Sequence, residues 1–467
     1  MKSVELFLDG VGIFFLIYLF LYTTYLFLSV LIGALQLYKK DQMTRVRNQL
    51  KHEYYIPISI LVPAYNEEVT IVDSINSLLK LDYTLYEIII IDDGSKDNTV
   101  KNLLNAFDFV KVNRPIHLRL KCQKHKIIYE TKVNNINITL ISKNNGGKGD
   151  SLNMGINASR FPYFICIDAD SLLQSDSLEK IIQPVIEDEN VVAVGGLIRV
   201  AQCVEMVNGK VLGYRLPVDP LVSMQVIEYD RSFLASRILM DQFNGNLIIS
   251  GAFGLFKKDI VIACGGYDTS TLGEDMELVV KLHVFCRNNL INYSIRYEPN
   301  AICWSQVPSS IKDLMKQRRR WFLGLFQSML KYHRIFLNLR FGLVSFISYM
   351  YYLLFELLSP VIEVFGILTM LLAFGYGYLN FPFMIEFLLL YSIYGAILTI
   401  TAFYQRIYTQ NLKITPLDTI KAIFICLLES LFFRYILAFV RTTALIGYKK
   451  KKHSWGSIKR VKQNDFH

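Results

Sequence analysis

The sequence offers little for disulfide or zinc chemistry. Its seven cysteines (Cys122, Cys166, Cys203, Cys264, Cys286, Cys303 and Cys426) are scattered, with no CxxC pair. An odd, dispersed set predicts reduced thiols in a cytosol-facing domain. Charge is sparse too. Charged residues make up 19% of the 467 and apolar residues 52%, with a mean hydropathy of +0.31. That balance excludes a disordered chain and argues for membrane spans. There is no internal repeat and no low-complexity tract. What charge there is sums to +10, a sign that suits a membrane surface, a nucleic acid or a phosphorylated substrate without choosing between them. The length exceeds one compact core and predicts two or three modules.

Gly10 to Tyr38 contains no charged residue. As a helix it would run roughly 43 Å, enough to cross a hydrocarbon core of about 30 Å with tilt. Only Lys2 precedes it as a cation and no A-x-A site comes after it, so an anchor over residues 1–38 is expected and not a cleaved signal. Lys39, Lys40, Arg45, Arg47 and Lys51 come next and predict that the chain beyond the anchor is cytoplasmic, at a plasma membrane. Residues 39–340 read as a soluble domain. Apolar sequence returns at Phe341–Tyr378, Phe383–Tyr404 and about Ile420–Tyr448, giving a membrane region over 341–448. A basic tail, 449–467, begins with Lys449 to Lys452 and is expected to meet lipid headgroups on the cytoplasmic side. Two cytoplasmic ends need an even number of crossings, yet there are three blocks. Either Phe341–Tyr378 folds as two segments around Ser359-Pro360, or one block lies in the interface. Glu356, Glu363, Glu429, Arg434 and Arg441 within these blocks should face protein or a water-filled path.

Within the soluble part, Ile58–Val62 reads as a buried parallel strand ended by Pro63. Asn66–Leu79 has helical spacing, Glu87–Ile91 is a second strand, and Asp97–Leu104 a second helix. Strand and helix alternating in this way predict a parallel α/β sheet. Residues 105–137 are polar and irregular, with a β-ribbon expected. Ile138–Ile141 resumes the sheet, Asn144–Gly149 is a turn, and Asp150–Ala158 a helix. Tyr163–Ile167 and Val191–Val194 add strands. Asn246–Phe256 reads as a strand and turn whose backbone comes close to a ligand, and Met276–Val284 as a helix.

Ligands of an open α/β sheet sit beyond the carboxyl ends of its strands. Three such ends are loaded: Pro63, Tyr65 and Glu67; Asp92 and Asp93; Asp168 and Asp170. Two carboxylates two residues apart after an apolar strand suit Mg²⁺ or Mn²⁺. Asn144-Asn145-Gly146-Gly147-Lys148-Gly149 fails the pattern of a nucleoside-triphosphate loop, because Gly149 stands where Ser or Thr must follow the lysine. Lys148 could still contact a diphosphate, or the glycines could form a plain turn. Glu274 and Asp275 precede a helix, as a helix-start pair stabilised by its dipole or as a general base. Gln317-Arg318-Arg319-Arg320-Trp321, before the second apolar block, would alone read as a headgroup contact with an interfacial Trp.

Taken together, Val62-Pro63-Ala64-Tyr65-Asn66-Glu67, Asp92-Asp93-Gly94-Ser95, Asp168-Ala169-Asp170, Gly273-Glu274-Asp275 and Gln317-Arg318-Arg319-Arg320-Trp321 resemble, in their order, the membrane-integrated family-2 glycosyltransferases. These include the synthases of cellulose, chitin, hyaluronan and poly-N-acetylglucosamine. The resemblance covers about residues 56–325 and the flanking spans. It implies an α/β GT-A fold, Rossmann-like and nucleotide-sugar-binding, between N- and C-terminal transmembrane helices. It also implies a UDP-sugar donor, a divalent cation (Mg²⁺ or Mn²⁺), a polysaccharide acceptor, inversion to a β-linkage, and processive synthesis coupled to export, with no nucleic-acid partner. One sugar added to a lipid-linked acceptor, and a membrane sensor of nucleotide sugars, are the competing expectations. Position by position, Pro63, Tyr65, Glu67, Asp92 and Asp93 would serve the donor, with Tyr65, Asp92 and Asp93 on uridine. Lys148 would lie near the phosphates, and Asp168 and Asp170 would hold metal and diphosphate. Asp275 would be the base and Glu274 would lie on the acceptor side. Gln317, Arg320 and Trp321 would bind diphosphate and stack on the acceptor sugar. Gly273 stands where many relatives carry Thr.

Overall fold

The computed structural model describes residues 2–49, 56–207, 209–409, 414–429 and 433–445. In chain order its strands are β1 (Ile58–Ala64), β2 (Tyr86–Asp92), β3 (Val110–Val112), β4 (His125–Val133), β5 (Ile136–Lys143) and β6 (Tyr163–Ile167). The later strands are β7 (Leu172–Leu173), β8 (Val191–Val200), β9 (Val204–Val207), β10 (Lys210–Tyr214), β11 (Phe253–Lys257) and β12 (Ser294–Ser305). Ten of them form one sheet in the order β3-β4-β5-β2-β1-β6-β11-β8-β12-β7, while β9 and β10 make a separate ribbon. The β5-β2-β1-β6 core is parallel throughout. The β-ribbon expected within 105–137 is present, as β3 and β4 extending the edge antiparallel to β5.

The central strands are near-continuous apolar runs because both faces are covered. Alternation divides them between two cores. Ile88 and Ile90 pack with the helices Ile71–Leu78 and Ser177–Glu187 on one side. Ile89 and Ile91 pack with Lys148–Ala158 and Glu274–Asn288 on the other. Because β1, β2 and β6 run parallel, the three acidic loops at their carboxyl ends lie along one edge of the sheet.

Several boundaries differ from expectation. The first helix is shorter, Ile71–Leu78, since residues 66–70 turn back onto the loop after β2 through Glu67 N–H to Thr99 (2.8 Å) and Asn66 N–H to Ser95 (3.0 Å). Lys148 and Gly149 belong to a helix, which starts after Gly147 at φ +89°. Residues 245–250 are irregular, and the strand comes after the turn as β11.

Among the described residues, two helices are long and apolar enough to cross a membrane, Ser3–Lys40 and Phe381–Gln405. Val344–Leu357 and Ser359–Gly375 qualify as a pair bent by 47°. The break falls at Leu358, directly before Ser359-Pro360, where proline removes a backbone donor. In the last block the described helices are Pro416–Leu428 and Arg434–Ala444, and residues 430–432 between them lie outside the described residues. Residues 446–448 and the 449–467 tail, with its Lys449 to Lys452 run, lie outside the described residues. The N-terminal helix reaches the sheet through Lys40, whose ammonium pairs with Glu298 (3.1 Å) and donates to the Tyr297 carbonyl (3.0 Å).

Candidate active site

A cavity of about 440 Å³ opens at the edge of the sheet and is lined by Lys148, Asp168, Asp170, Glu274, Asp275, Gln317, Arg320 and Trp321. Residues of the apolar helices also line it, among them Tyr22, Phe355, Tyr394 and Glu429. Pro63, Tyr65, Glu67, Asp92 and Asp93 stand at the same sheet edge but are not part of that lining.

Helix starts supply most of the chemistry. Lys148 is the first residue of its helix, and Glu274 and Asp275 are the first two of theirs. Carboxylates in a first turn are stabilised by the exposed N–H groups of the helix end. The Asp275 carboxylate accepts from its neighbour Met276 N–H (2.9 Å) and from Gly251 N–H (3.3 Å). The Lys148 ammonium pairs with Asp168, donates to the Gly251 carbonyl at 3.2 Å, and lies 3.9 Å from Glu274. A Cβ on Gly251 would stand 3.0 Å from the Lys148 ammonium and 3.5 Å from the Asp275 Cβ, so glycine permits this approach. The close backbone expected in this segment is thus an approach to site side chains.

Burial raises the Glu274 carboxyl above its ordinary range; Lys148 opposes the rise, Asp275 adds to it and Arg320 opposes it. Burial opposes charge on Lys148, but Asp168, Glu274 and Asp275 outweigh it and hold the ammonium well above the usual lysine range. The site therefore holds a charged lysine among carboxyl groups, with Glu274 pushed toward its neutral form.

Asp92 and Asp93 have other neighbours. Asp92 accepts from Ser95 N–H (3.0 Å) and the Ser142 hydroxyl (2.9 Å). Asp93 accepts from the Lys143 ammonium and from Gly146 N–H (2.9 Å) and Gly147 N–H (2.8 Å). Lys143 is fully buried and also pairs with Asp150 at 2.7 Å. This triad fixes the glycine loop that presents Lys148. The motifs in the sequence do not reveal Lys143 and Asp150, because Asp93 lies 50 residues before Lys143 in the chain. Tyr65 is exposed, Pro63 is half-buried, and Glu67 accepts from the Thr70 hydroxyl (3.1 Å).

Across the cavity, the helix Ile311–Lys331 carries the arginine-rich motif. Trp321 is 41% exposed, with its ring centroid 6.4 Å from that of Tyr229. The Arg318 guanidinium stands 4.5 Å from the Trp321 ring centroid and holds Glu228 in a two-bond fork at 2.9 and 2.6 Å. Gln317 is buried at the helix face turned to the cavity. Glu228 lies in the helix Pro220–Arg231, which carries no motif to announce it. Gly324 on the Ile311–Lys331 helix lies against Gly273; a Cβ on Gly273 would meet Gly324 Cα at 2.8 Å. That contact explains a glycine before Glu274-Asp275.

Asp168 and Asp170 offer hard oxygen donors to the cavity. Among the described residues no group of three or more His, Cys, Asp or Glu assembles around a metal position. A pair of carboxylates fits an ion that keeps positions for water and phosphate oxygens, as Mg²⁺ and Mn²⁺ do, and does not fit an all-protein cage.

A parallel-core sheet with acids at the strand ends, a cavity at its edge and apolar helices beside it matches known families. Residues 163–398, half of the chain, match the family described as "Glycosyl transferase family group 2", and residues 59–261 match "Glycosyl transferase family 2". The chain belongs to this glycosyltransferase family. It is 33% identical over 276 residues to the poly-β-1,6-N-acetyl-D-glucosamine synthase of Staphylococcus aureus, covering 59% of this chain and 56% of that one. With the synthase of the same name from Staphylococcus epidermidis it is 33% identical over 283 residues, covering 60% and 57%. The chain thus spans about half the length of the curated relatives it matches. Among solved structures, a mannosyltransferase from Pyrobaculum calidifontis in complex with GDP-Man and Mn²⁺ shares the fold. That likeness has a TM-score of 0.50 and 18% identity, over 83% of this chain and 97% of the other.

Proposed function

We propose that the protein transfers sugar from a UDP-sugar to a growing β-linked polysaccharide, with inversion, using Mg²⁺ or Mn²⁺, and adds sugars processively while the product passes into the membrane. The observation that carries this is one cavity shared by Asp168, Asp275 and Trp321 and by residues of the apolar helices. The synthase name borne by the staphylococcal relatives and the Mn²⁺ and nucleotide sugar bound to the mannosyltransferase support it.

Asp275 takes the proton from the acceptor hydroxyl, which is too weak a nucleophile unaided. The Gly251 amide orients that carboxylate. Asp168 and Asp170 would hold the cation, which supplies positive charge against the departing diphosphate. Arg320 and Lys148 add positive charge on the same side. Trp321 offers an aromatic face to the apolar side of the acceptor ring. Tyr65, Asp92 and Asp93 hold uridine, with Asp93 also bracing the glycine loop. The catalytic part faces the cytoplasm, where nucleotide sugars are made.

Purified protein in lipid, given labelled UDP-sugars and Mn²⁺ or Mg²⁺, should yield a polymer cut by a β-specific hydrolase. A product of one sugar per acceptor would remove the polymerase claim. Asp275→Asn should lower transfer by about 10²–10⁴-fold, with donor affinity changed only a few-fold; unchanged transfer would remove the base.

A further inference from the structure

We propose that Lys148 is a displaceable counter-ion for Asp168: it keeps a lone divalent cation off that carboxylate and yields it when a nucleoside diphosphate offers the ammonium another anionic partner. This rests on Asp168 and Asp170 being the cation site of the proposed function.

The Lys148 ammonium is in direct contact with Asp168 Oδ1. Both side chains line the cavity and are partly open, 17% for Lys148 and 33% for Asp168, so a ligand can reach the pair. A cation arriving alone must displace the ammonium from Asp168 and leave it the Gly251 carbonyl at 3.2 Å, Glu274 at 3.9 Å and the charge of Asp275. A cation arriving with a diphosphate brings the ammonium a new anionic partner. Lysine suits this exchange because its charge rides on a flexible four-carbon stem. The nearby Lys143 cannot do the same: it is fully buried between Asp93 and Asp150. The exchange also reaches the base, since Gly251 takes Lys148 on its carbonyl and gives its N–H to Asp275. Cation and nucleotide would therefore bind as a unit, and their arrival would loosen one of the contacts beside the base.

The test is Mn²⁺ binding to the full chain in detergent, read from the paramagnetic signal of free aqueous Mn²⁺, without and with UDP. Without nucleotide, Lys148→Gln should bind Mn²⁺ at least about tenfold more tightly than the wild type, the low end of what an adjacent opposite charge does to a carboxylate. Lys148→Arg, which keeps the charge, should match the wild type. UDP should narrow the gap between the wild type and Lys148→Gln. Lys148→Met repeats the test if Lys148→Gln melts abnormally. Equal Mn²⁺ affinity of wild type and both neutral variants without UDP, or a gap that UDP leaves unchanged, overturns the role of Lys148. Asp168→Asn should weaken Mn²⁺ binding in every background. If it weakens none of them, the cation site itself fails, which is a separate result.

Discussion

Two acidic strand ends of the same sheet have opposite surroundings. After β2, Asp92 and Asp93 are buried, and their oxygens are taken by Lys143, two loop amides, Ser95 N–H and Ser142. After β6, Asp168 opens onto a cavity, and its partner Lys148 is itself reachable. In sequence the two look alike: an apolar β-branched run, then acids. The difference arises from what folds over each end. The glycine loop after β5 closes on Asp93, whereas the helices Glu274–Asn288 and Ile311–Lys331 leave a gap beside Asp168. An acidic strand end thus marks a place where charge can be held, and the covering elements decide how much of that charge the protein itself pairs and how much stays open to the cavity.

The contrast can be broken most strongly at Lys143. Lys143→Met strips the cation from two buried carboxylates, Asp93 and Asp150, and should cost about 3–5 kcal/mol, seen as a large fall in melting temperature in detergent. Asp168→Asn should change melting little and abolish most transfer. Comparable melting losses in the two variants would erase the distinction. Gly273→Thr drives a Cβ into the Gly324 backbone. It should cost about 1–3 kcal/mol and lower transfer by tilting the helix start that carries Asp275; unchanged melting and transfer would show that the two helices part freely.

A smaller effect is expected from His283, buried on the far end of the Asp275 helix. Its Nε2–H donates to the Asn246 carbonyl (2.9 Å), leaving Nδ1 to accept from the Tyr293 hydroxyl (2.7 Å). Burial lowers its pKa from 6.5 to about 4, so the folded state favours the neutral ring. Its contribution is fully present above pH 6.5 and is lost as pH falls from there toward about 4, on the order of 3 kcal/mol. His283→Asn should flatten the melting profile across that window; an unaltered acid limb would assign the loss to other groups.

How legible the protein was varies by element. Ile58–Val62, Glu87–Ile91 and Tyr163–Ile167 were readable as strands because both faces of a central parallel strand are apolar. The start of the helix at Lys148 was not, since glycines before it read as a turn and its capping geometry depends on Gly147 at φ +89°. Of the site, Asp168, Asp170, Glu274, Asp275 and Trp321 could be named from motifs. The Arg318–Glu228 fork and the Lys143 triad could not, because their partners are far apart in the chain and carry no local signal.

The sequence by itself determined the sheet core, the apolar helices and the residue types available for chemistry, since these arise from local periodicity and composition. Only the tertiary structure decided which carboxylates face the cavity, that Gly273 and Gly324 touch, and that Lys148 sits between Asp168 and Gly251. Those facts depend on contacts between segments distant in the chain, and a charge acts according to what surrounds it in space.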